Sequence, residues 1–179
     1  MQLATDRLIL RELVEGDAPR IHEIEAMPSV WRYLSKFPET EDEAAEYVRG
    51  ILVEATDVPR LVFDFAVTVR GNDRLIGRCG MKRGDSEPRD AMVWYVLDPA
   101  HHGHGYASEA ARALLDFAFG ELRLHRAYAD VDPRNPASVR VCERLGMRKE
   151  AHHVENVCIR GEWCDSLIYA MLRREWEAK

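Results

Sequence analysis

Three histidines and two glycines crowd the stretch HHGHGYASEA, His101 to Ala110, and its side chains and its backbone suggest different chemistry. By side chain, His101, His102 and His104 could join His152, His153, Cys142, Cys158 and Cys164 as the nitrogen and sulfur ligands that zinc takes. The spacing argues against it. Adjacent histidines on a turn point apart, and the chain has neither an H-x-x-x-H helix face nor a C-x-x-C knuckle, so no metal is expected. By backbone, Gly103 and Gly105 stand where a strand gives way to a helix. The first helical turn has N–H groups without intrahelical partners, and the helix dipole adds partial positive charge. Residues lacking Cβ admit positive φ and close approach, so several amides can converge on one anion. HHGHGYA is therefore a candidate pyrophosphate cradle, the alternative being no more than a tight strand-to-helix turn. It matches neither common nucleotide fingerprint: Ser108 stands where a Rossmann loop needs Gly or Ala, and no Gly-Lys-Ser/Thr occurs.

Cys142 lies one turn after Ser138 in NPASVRVCERLG, which could suggest an acyl-cysteine, but no His and Asp arrangement activates it. A small buried apolar role fits it better. In the same segment Asn135 reads as a helix cap, Pro136 as the first helical residue and Ser138 as the third.

The elements that must position these groups follow from hydrophobic period and turn chemistry. RLILREL, Arg7 to Leu13, alternates as a strand, and VEGDAP supplies Asp17 as a cap and Pro19 in a first helical turn. In TEDEAAEYVRGILVEA, Thr40 and Glu43 form a capping box, and Ala44, Tyr47, Val48, Ile51, Leu52 and Ala55 recur at helical spacing. Leu61 to Val69 and Arg74 to Met81 read as a hairpin about RGND. A polar loop, KRGDSEPRD, leads to a strand over Ala91 to Asp98. After the glycine stretch, Ala107, Ala110, Ala111, Leu114, Leu115 and Ala118 mark a helix that stops near Gly120. His125 to Asp132 reads as a strand, the Asn135 segment as a short helix ended by Gly146, and Ala151 to Leu172 as two strands around RGE. The expected order is βααβββαβαββ, in one domain over residues 1–179, since a chain of 179 residues fits a single core.

Composition narrows the partners. Twenty-five Lys and Arg against 31 Asp and Glu leave a net charge of -6, with no basic cluster of the kind nucleic acid requires. A cationic small molecule or a basic peptide is the more natural partner. Four cysteines without paired spacing point to reduced thiols, and the chain shows neither a signal-peptide apolar run nor the roughly 18 apolar residues a spanning helix needs. The expectation is a cytoplasmic protein without membrane or nucleic-acid partners, for which a homodimer is open.

Four segments, TDRLILREL, YVLDPAHHGHGYASEA, NPASVRVCERLGM and RGEWCDSLIYAML, together resemble the GNAT superfamily of acyl-CoA-dependent N-acetyltransferases, in its RimJ/RimL-like branch. The resemblance spans nearly the whole chain. It implies an α/β GNAT fold, with a mixed, mostly antiparallel central sheet flanked by helices. It implies that backbone amides of His102, Gly103, His104, Gly105, Tyr106 and Ala107 hold the coenzyme A pyrophosphate. It also implies that Tyr95, Val96 and Leu97 pair their backbone with the pantetheine arm, one amide polarising the thioester carbonyl. Asn135 matches the residue that bonds pantetheine, and Ser138 the hydroxyl that protonates the departing thiolate. Acetyl-CoA is the implied co-substrate and an amine, a peptide N-terminus or a small molecule, the acceptor.

The chain departs from the pattern at three places. Ala100 stands where many members have Arg or Gln, His104 where the branch often has Lys, and Met92 where a Glu often serves as base. The attacking ammonium must lose a proton, and Glu155, acting through water, is the candidate base, the alternative being that it is a solvated surface carboxylate. Asp165 resembles a frequent family residue that reads as structural, and Trp163 as packing. His104 carries charge only toward the acid side of neutrality, so coenzyme affinity is expected to weaken from about pH 6 to about pH 8. The expected activity is acetyl transfer from acetyl-CoA to a primary amine by direct attack. A non-catalytic acyl-CoA sensor and an antibiotic or polyamine acetyltransferase are the alternatives. Trp31, Tyr33 and Phe37 could line the acceptor pocket or fill the core.

Overall fold

The computed structural model describes residues 1–84 and 89–178. Part of the expected polar loop, residues 85–88, lies outside them. Eight strands form one sheet in the order β1-β2-β3-β4-β5-β6-β8-β7. They are β1 (Gln2–Ala4), β2 (Leu8–Glu12), β3 (Val62–Val69), β4 (Asn72–Arg83), β5 (Asp90–Leu97), β6 (Arg126–Val131), β7 (Arg148–Ile159) and β8 (Glu162–Leu172). Every neighbouring pair is antiparallel except β5 and β6, so the sheet is mixed and mostly antiparallel, as the resemblance implies.

Helices cover both faces. On one, α4 (Tyr106–Gly120) and α5 (Pro136–Arg144) bury Ala110, Ala111, Leu114, Leu115, Val141 and Cys142 against Leu8, Phe65, Met81, Ala127 and Tyr169. On the other, α1 (Ala18–Glu25) and α3 (Glu41–Glu54) bury Ile21, Ile24, Ala44, Val48 and Ile51 against Ala66, Leu75 and Val96. The helical stripes read from the sequence supply these faces because residues three and four apart share one side of a helix. The buried Cys142 takes the small apolar role expected of it.

Short elements escaped the periodicity: β1, α2 (Pro28–Trp31) and α6 (Arg173–Trp176) each have three or four residues, too few to show a period. Strand β4 also starts earlier than expected and runs through Gly77, where β3 and β4 slip in register between Val67 and Val69. Gly77 sits at φ 156, and a Cβ there would lie 2.2 Å from the Val96 carbonyl oxygen, so only glycine admits this close approach. Two expected caps differ in detail. Asp17 makes no side-chain cap on α1; its carboxylate accepts from Arg11 at 2.7 and 2.9 Å and from the Val14 amide at 2.9 Å, because the guanidinium fork competes successfully for both oxygens. Thr40 caps α3 by accepting from the Glu43 amide at 3.2 Å, whereas the Glu43 carboxylate reaches back one residue further, to the Glu39 amide at 2.7 Å.

Candidate active site

Strands β5 and β6 pair only over Asp90–Met92 with Arg126–Tyr128, and beyond Met92 they diverge. The β6-facing edge of β5 from residue 93 onward is thereby stripped of its strand partner, while β4 holds the other edge along its length. This free edge carries the backbone of Tyr95, Val96 and Leu97. A groove of about 540 Å³ opens beside it, walled on the far side by the start of α5.

The glycine stretch closes the end of that groove. Asp98 accepts from the Ala100 amide at 2.8 Å and pairs with Arg20 of α1. Burial pushes the Asp98 carboxyl up, but the amide and the guanidinium outweigh it and hold the group below its usual range. The chain then turns through Gly103 (φ 81) and Gly105 (φ 79), left-handed positions that favour glycine, into α4 at Tyr106. A Cβ at Gly103 would meet nothing within 4 Å, so the loop leaves open space there. His102 donates from Nε2 to the Leu97 carbonyl at 3.0 Å, tying the loop to the strand end.

From outside, Arg7 of the segment before β2 braces the turn. It donates to the His104 carbonyl at 2.9 Å and to Glu109 of α4 from Nε at 2.7 Å, and its guanidinium lies 4.9 Å from the Tyr106 ring centre. Burial raises the Glu109 carboxyl, yet Thr5 and Arg7 hold it below the usual range. The His104 ring takes no place in the groove wall: its Nδ1 donates to the His102 carbonyl at 2.9 Å and it stacks on Tyr106 at 5.5 Å. Inside, the Ser108 hydroxyl lines the groove and is buried without a hydrogen-bond partner among the described residues. An orphaned buried hydroxyl, an open Gly103 and converging N–H groups fit a phosphate-bearing ligand. Arg140 and Arg144, one turn apart on α5, add positive charge to the same wall.

At the other end of the groove the Tyr95 side chain spans the cleft. Its hydroxyl lies 2.9 Å from Ser138 Oγ and 3.5 Å from Cys142 Sγ, and is placed to donate to the Ser138 carbonyl at 3.1 Å. Burial pushes this phenol above its ordinary range, so it remains a neutral donor. Asn135 caps α5 by accepting from the Ser138 amide at 3.1 Å, and its amide nitrogen remains as a donor at the groove.

Past Ser138 lies a second cavity of about 360 Å³. Its walls come from Tyr33 to Lys36, from β5 and β6, and from the β7–β8 hairpin. Tyr33, Leu34, Tyr95, Val96, Asn135 and Ser138 line both cavities, so the two meet there. Tyr33 donates across to the Arg134 carbonyl at 3.3 Å, and Arg160 at the hairpin tip covers the Trp31 and Phe37 rings at 4.6 and 4.7 Å. Of the three aromatics, Tyr33 lines the cavities, whereas Trp31 and Phe37 form the seat that holds the hairpin down. Trp163 is 62% exposed and packs into no core. Met92 lines the second cavity.

Behind that cavity stands a buried ionic cluster. Arg78 of β4, on the cavity wall, pairs with Glu25 of α1 and with Asp64 of β3 at 2.7 Å, and donates to the Tyr47 hydroxyl of α3 at 2.6 Å. Glu155 is not brought to either cavity. It sits at φ 46 in an irregular part of β7, with an exposed side chain, and its backbone amide donates to Asp165 at 2.9 Å. Asp165 does line the second cavity, with His152 Nε2 2.7 Å from its other oxygen.

Sequence reasoning passed over Ser108, Arg140, Arg144, Arg7 and Glu109. The hydroxyl one turn into the helix and the i, i+4 arginines were readable signals; the brace from Arg7 bridges 97 residues and was not. Among the described residues no group of three or more His, Cys, Asp and Glu is placed to hold a metal ion, and no helix is long and apolar enough to cross a membrane.

The family model for the acetyltransferase (GNAT) domain matches residues 7–148. The protein named uncharacterized N-acetyltransferase YnaD, of Bacillus subtilis, is 32% identical over 98% of this chain and 99% of its own length. A GNAT-family acetyltransferase structure from Bacillus anthracis superposes with a TM-score of 0.86 at 30% identity, over 98% of this chain and all of that one. Spermidine N-acetyltransferase from Vibrio cholerae, solved with CoA and spermine, superposes at 0.83 with 27% identity, covering 97% and 99% of the two chains. With a strand edge opened beside a glycine turn, and with these matches along almost its whole length, the chain belongs to the GNAT family of acetyl-CoA-dependent N-acetyltransferases, in the RimJ/RimL-like group.

Proposed function

We propose that this enzyme transfers acetyl from acetyl-CoA to a primary amine by direct attack, with coenzyme in the 540 Å³ groove and acceptor in the 360 Å³ cavity. The observation that carries this is their shared wall: the groove and the cavity meet at Tyr95, Val96, Asn135 and Ser138, where a thioester and an amine would be brought together. The amides from Gly103 to Ala107, with Ser108, hold the pyrophosphate, the His102 amide being taken by the Pro99 carbonyl at 3.1 Å, and Arg140 and Arg144 offset the remaining phosphate charge. The open edge of β5 at Tyr95, Val96 and Leu97 pairs with the pantetheine, and an N–H there faces the charge that builds on the acyl oxygen. Asn135 donates to the pantetheine amide. Ser138, held by Tyr95, gives its proton to the departing sulfur. The four cysteines are unpaired, which fits a reducing cytosol.

The acceptor is a small amine or a peptide N-terminus. The resemblance to a spermidine acetyltransferase puts polyamines first among the amines to try. Mass spectrometry of polyamines, N-terminal peptides and aminoglycosides incubated with enzyme and acetyl-CoA tests this. One labelled acceptor is expected, with turnover reduced at least tenfold in Ser138→Ala while coenzyme binding stays within a factor of about two. A wild-type protein that binds the coenzyme and labels none of them would refute the proposal.

A further inference from the structure

Three carboxylates line the acceptor cavity: Asp130, Asp132 and Asp165. Asp132 is committed to Arg134, accepting from its amide at 2.8 Å, Nε at 3.0 Å and Nη2 at 2.8 Å. Asp130 lies between Ala129 and Val131, which enter the core beneath α4 and α5; alternation along β6 therefore turns Asp130 to the opposite face, away from Ser138. Asp165 has the same parity on β8 as Leu167 and Tyr169 of that core, so it shares the sheet face from which Tyr95 reaches Ser138. His152 Nε2 meets Oδ2 at 2.7 Å and the Glu155 amide meets Oδ1 at 2.9 Å. An ionised carboxylate offers about four acceptor sites, so these two bonds leave two for a ligand.

We propose that Asp165 receives the ammonium group of the acceptor and takes its first proton, with His152 as the positioning residue that orients the carboxylate. This rests on the acetyltransferase reading above. The charged groups facing Asp165 are His152 from β7, Arg134 and Asp132 from the end of β6 and the connection to α5, and Lys36 and Arg78 from the other walls of the cavity. The Glu155 amide and His152 hold the Asp165 carboxyl below its usual range, so it is ionised when the ammonium arrives. Its side chain is 31% exposed, which gives the proton a route to water. The amine nitrogen then bonds to the acyl carbon as the carbon–sulfur bond breaks. A second proton leaves that nitrogen for Ser138, as the Ser138 hydroxyl proton goes to sulfur. The products are the N-acetyl amine, the free thiol and one proton released to solvent. Glu155, the candidate base offered by the sequence, contributes its backbone amide instead.

The test is steady-state acetyl transfer to spermidine and to an alanine-terminated peptide, with wild type, Asp165→Asn, Asp165→Glu, His152→Gln and Glu155→Gln, alongside coenzyme binding by calorimetry. Asp165→Asn is expected to lose about 100-fold in kcat/KM, divided between a raised acceptor KM and a lowered kcat, with coenzyme Kd unchanged. Asp165→Glu recovers part of the loss. His152→Gln loses about tenfold, and it shifts the acid limb of kcat/KM to higher pH, because the carboxyl has lost a hydrogen bond that favours its charged form. A merely structural histidine would leave that limb in place. Wild-type transfer with Asp165→Asn within threefold of it, or a larger loss in Glu155→Gln than in Asp165→Asn, overturns this assignment alone. Wild type that labels neither probe overturns the acetyltransferase reading for these amines and the assignment with it.

Discussion

Replacing Arg78 by Met should destabilise the protein strongly. Among the described residues the guanidinium is the only cation in a cluster that holds Glu25, 1% exposed, and Asp64, fully buried. Taking the cation away leaves two carboxylates and the Tyr47 hydroxyl in a low-dielectric site with nothing to offset the charge. Removing one partner of a buried pair costs about 3–5 kcal/mol. For a chain of this size each kcal/mol lowers Tm by about 2–4 °C, so a fall of roughly 6–20 °C is expected. Thermal unfolding by circular dichroism measures the deficit. Adding Glu25→Gln and Asp64→Asn to Arg78→Met should restore much of the loss, since a neutral cluster leaves no uncompensated charge. An Arg78→Met protein melting within 2 °C of wild type, or a triple variant melting no higher than Arg78→Met alone, would refute the reasoning.

Two further substitutions separate roles within the coenzyme loop. Ser108→Ala removes a buried hydroxyl that has no partner, so it should leave the stability of the free enzyme unchanged or slightly raised, while coenzyme affinity falls about tenfold or more through loss of a charge-assisted hydrogen bond; calorimetry and thermal melts with and without coenzyme would show the opposite signs. His104→Ala should bind coenzyme with the same pH dependence as wild type between about pH 6 and about pH 8, because the ring is turned to the His102 carbonyl and Tyr106 and not to the groove; a flattened profile in the variant would restore the charge role expected from the sequence.

Long elements were legible from the residues because burial of one face imposes a period, and α3, α4 and the β3–β4 hairpin stand close to where that period places them. The glycine turn was legible for a related reason: glycines at positive φ before a helix are a local requirement of backbone geometry, and Gly103 and Gly105 both have it. Asn135 also does what its local sequence dictates, capping α5. His104 shows where local reading stops, since a side chain named by its place in a motif can turn outward once Arg7, nearly a hundred residues away, takes the carbonyl beside it.

What the sequence determined by itself was the family, from four segments in a fixed order, together with the order of the principal elements and the glycine turn before α4, which are properties of residues near one another in the chain. The tertiary structure decided which side chains share a cavity. Strand splaying between β5 and β6 opens the groove, and a shared wall at Tyr95 and Ser138 joins it to the second cavity. An irregular stretch of β7 turns Glu155 away and presents its amide to Asp165. The physical reason is that a period of two along a strand assigns faces only while the register holds, and a one-residue slip reverses every assignment beyond it. The register of β7 against β8 is set by packing and turns distributed over the whole fold, so the acceptor side of the site came from the folded molecule.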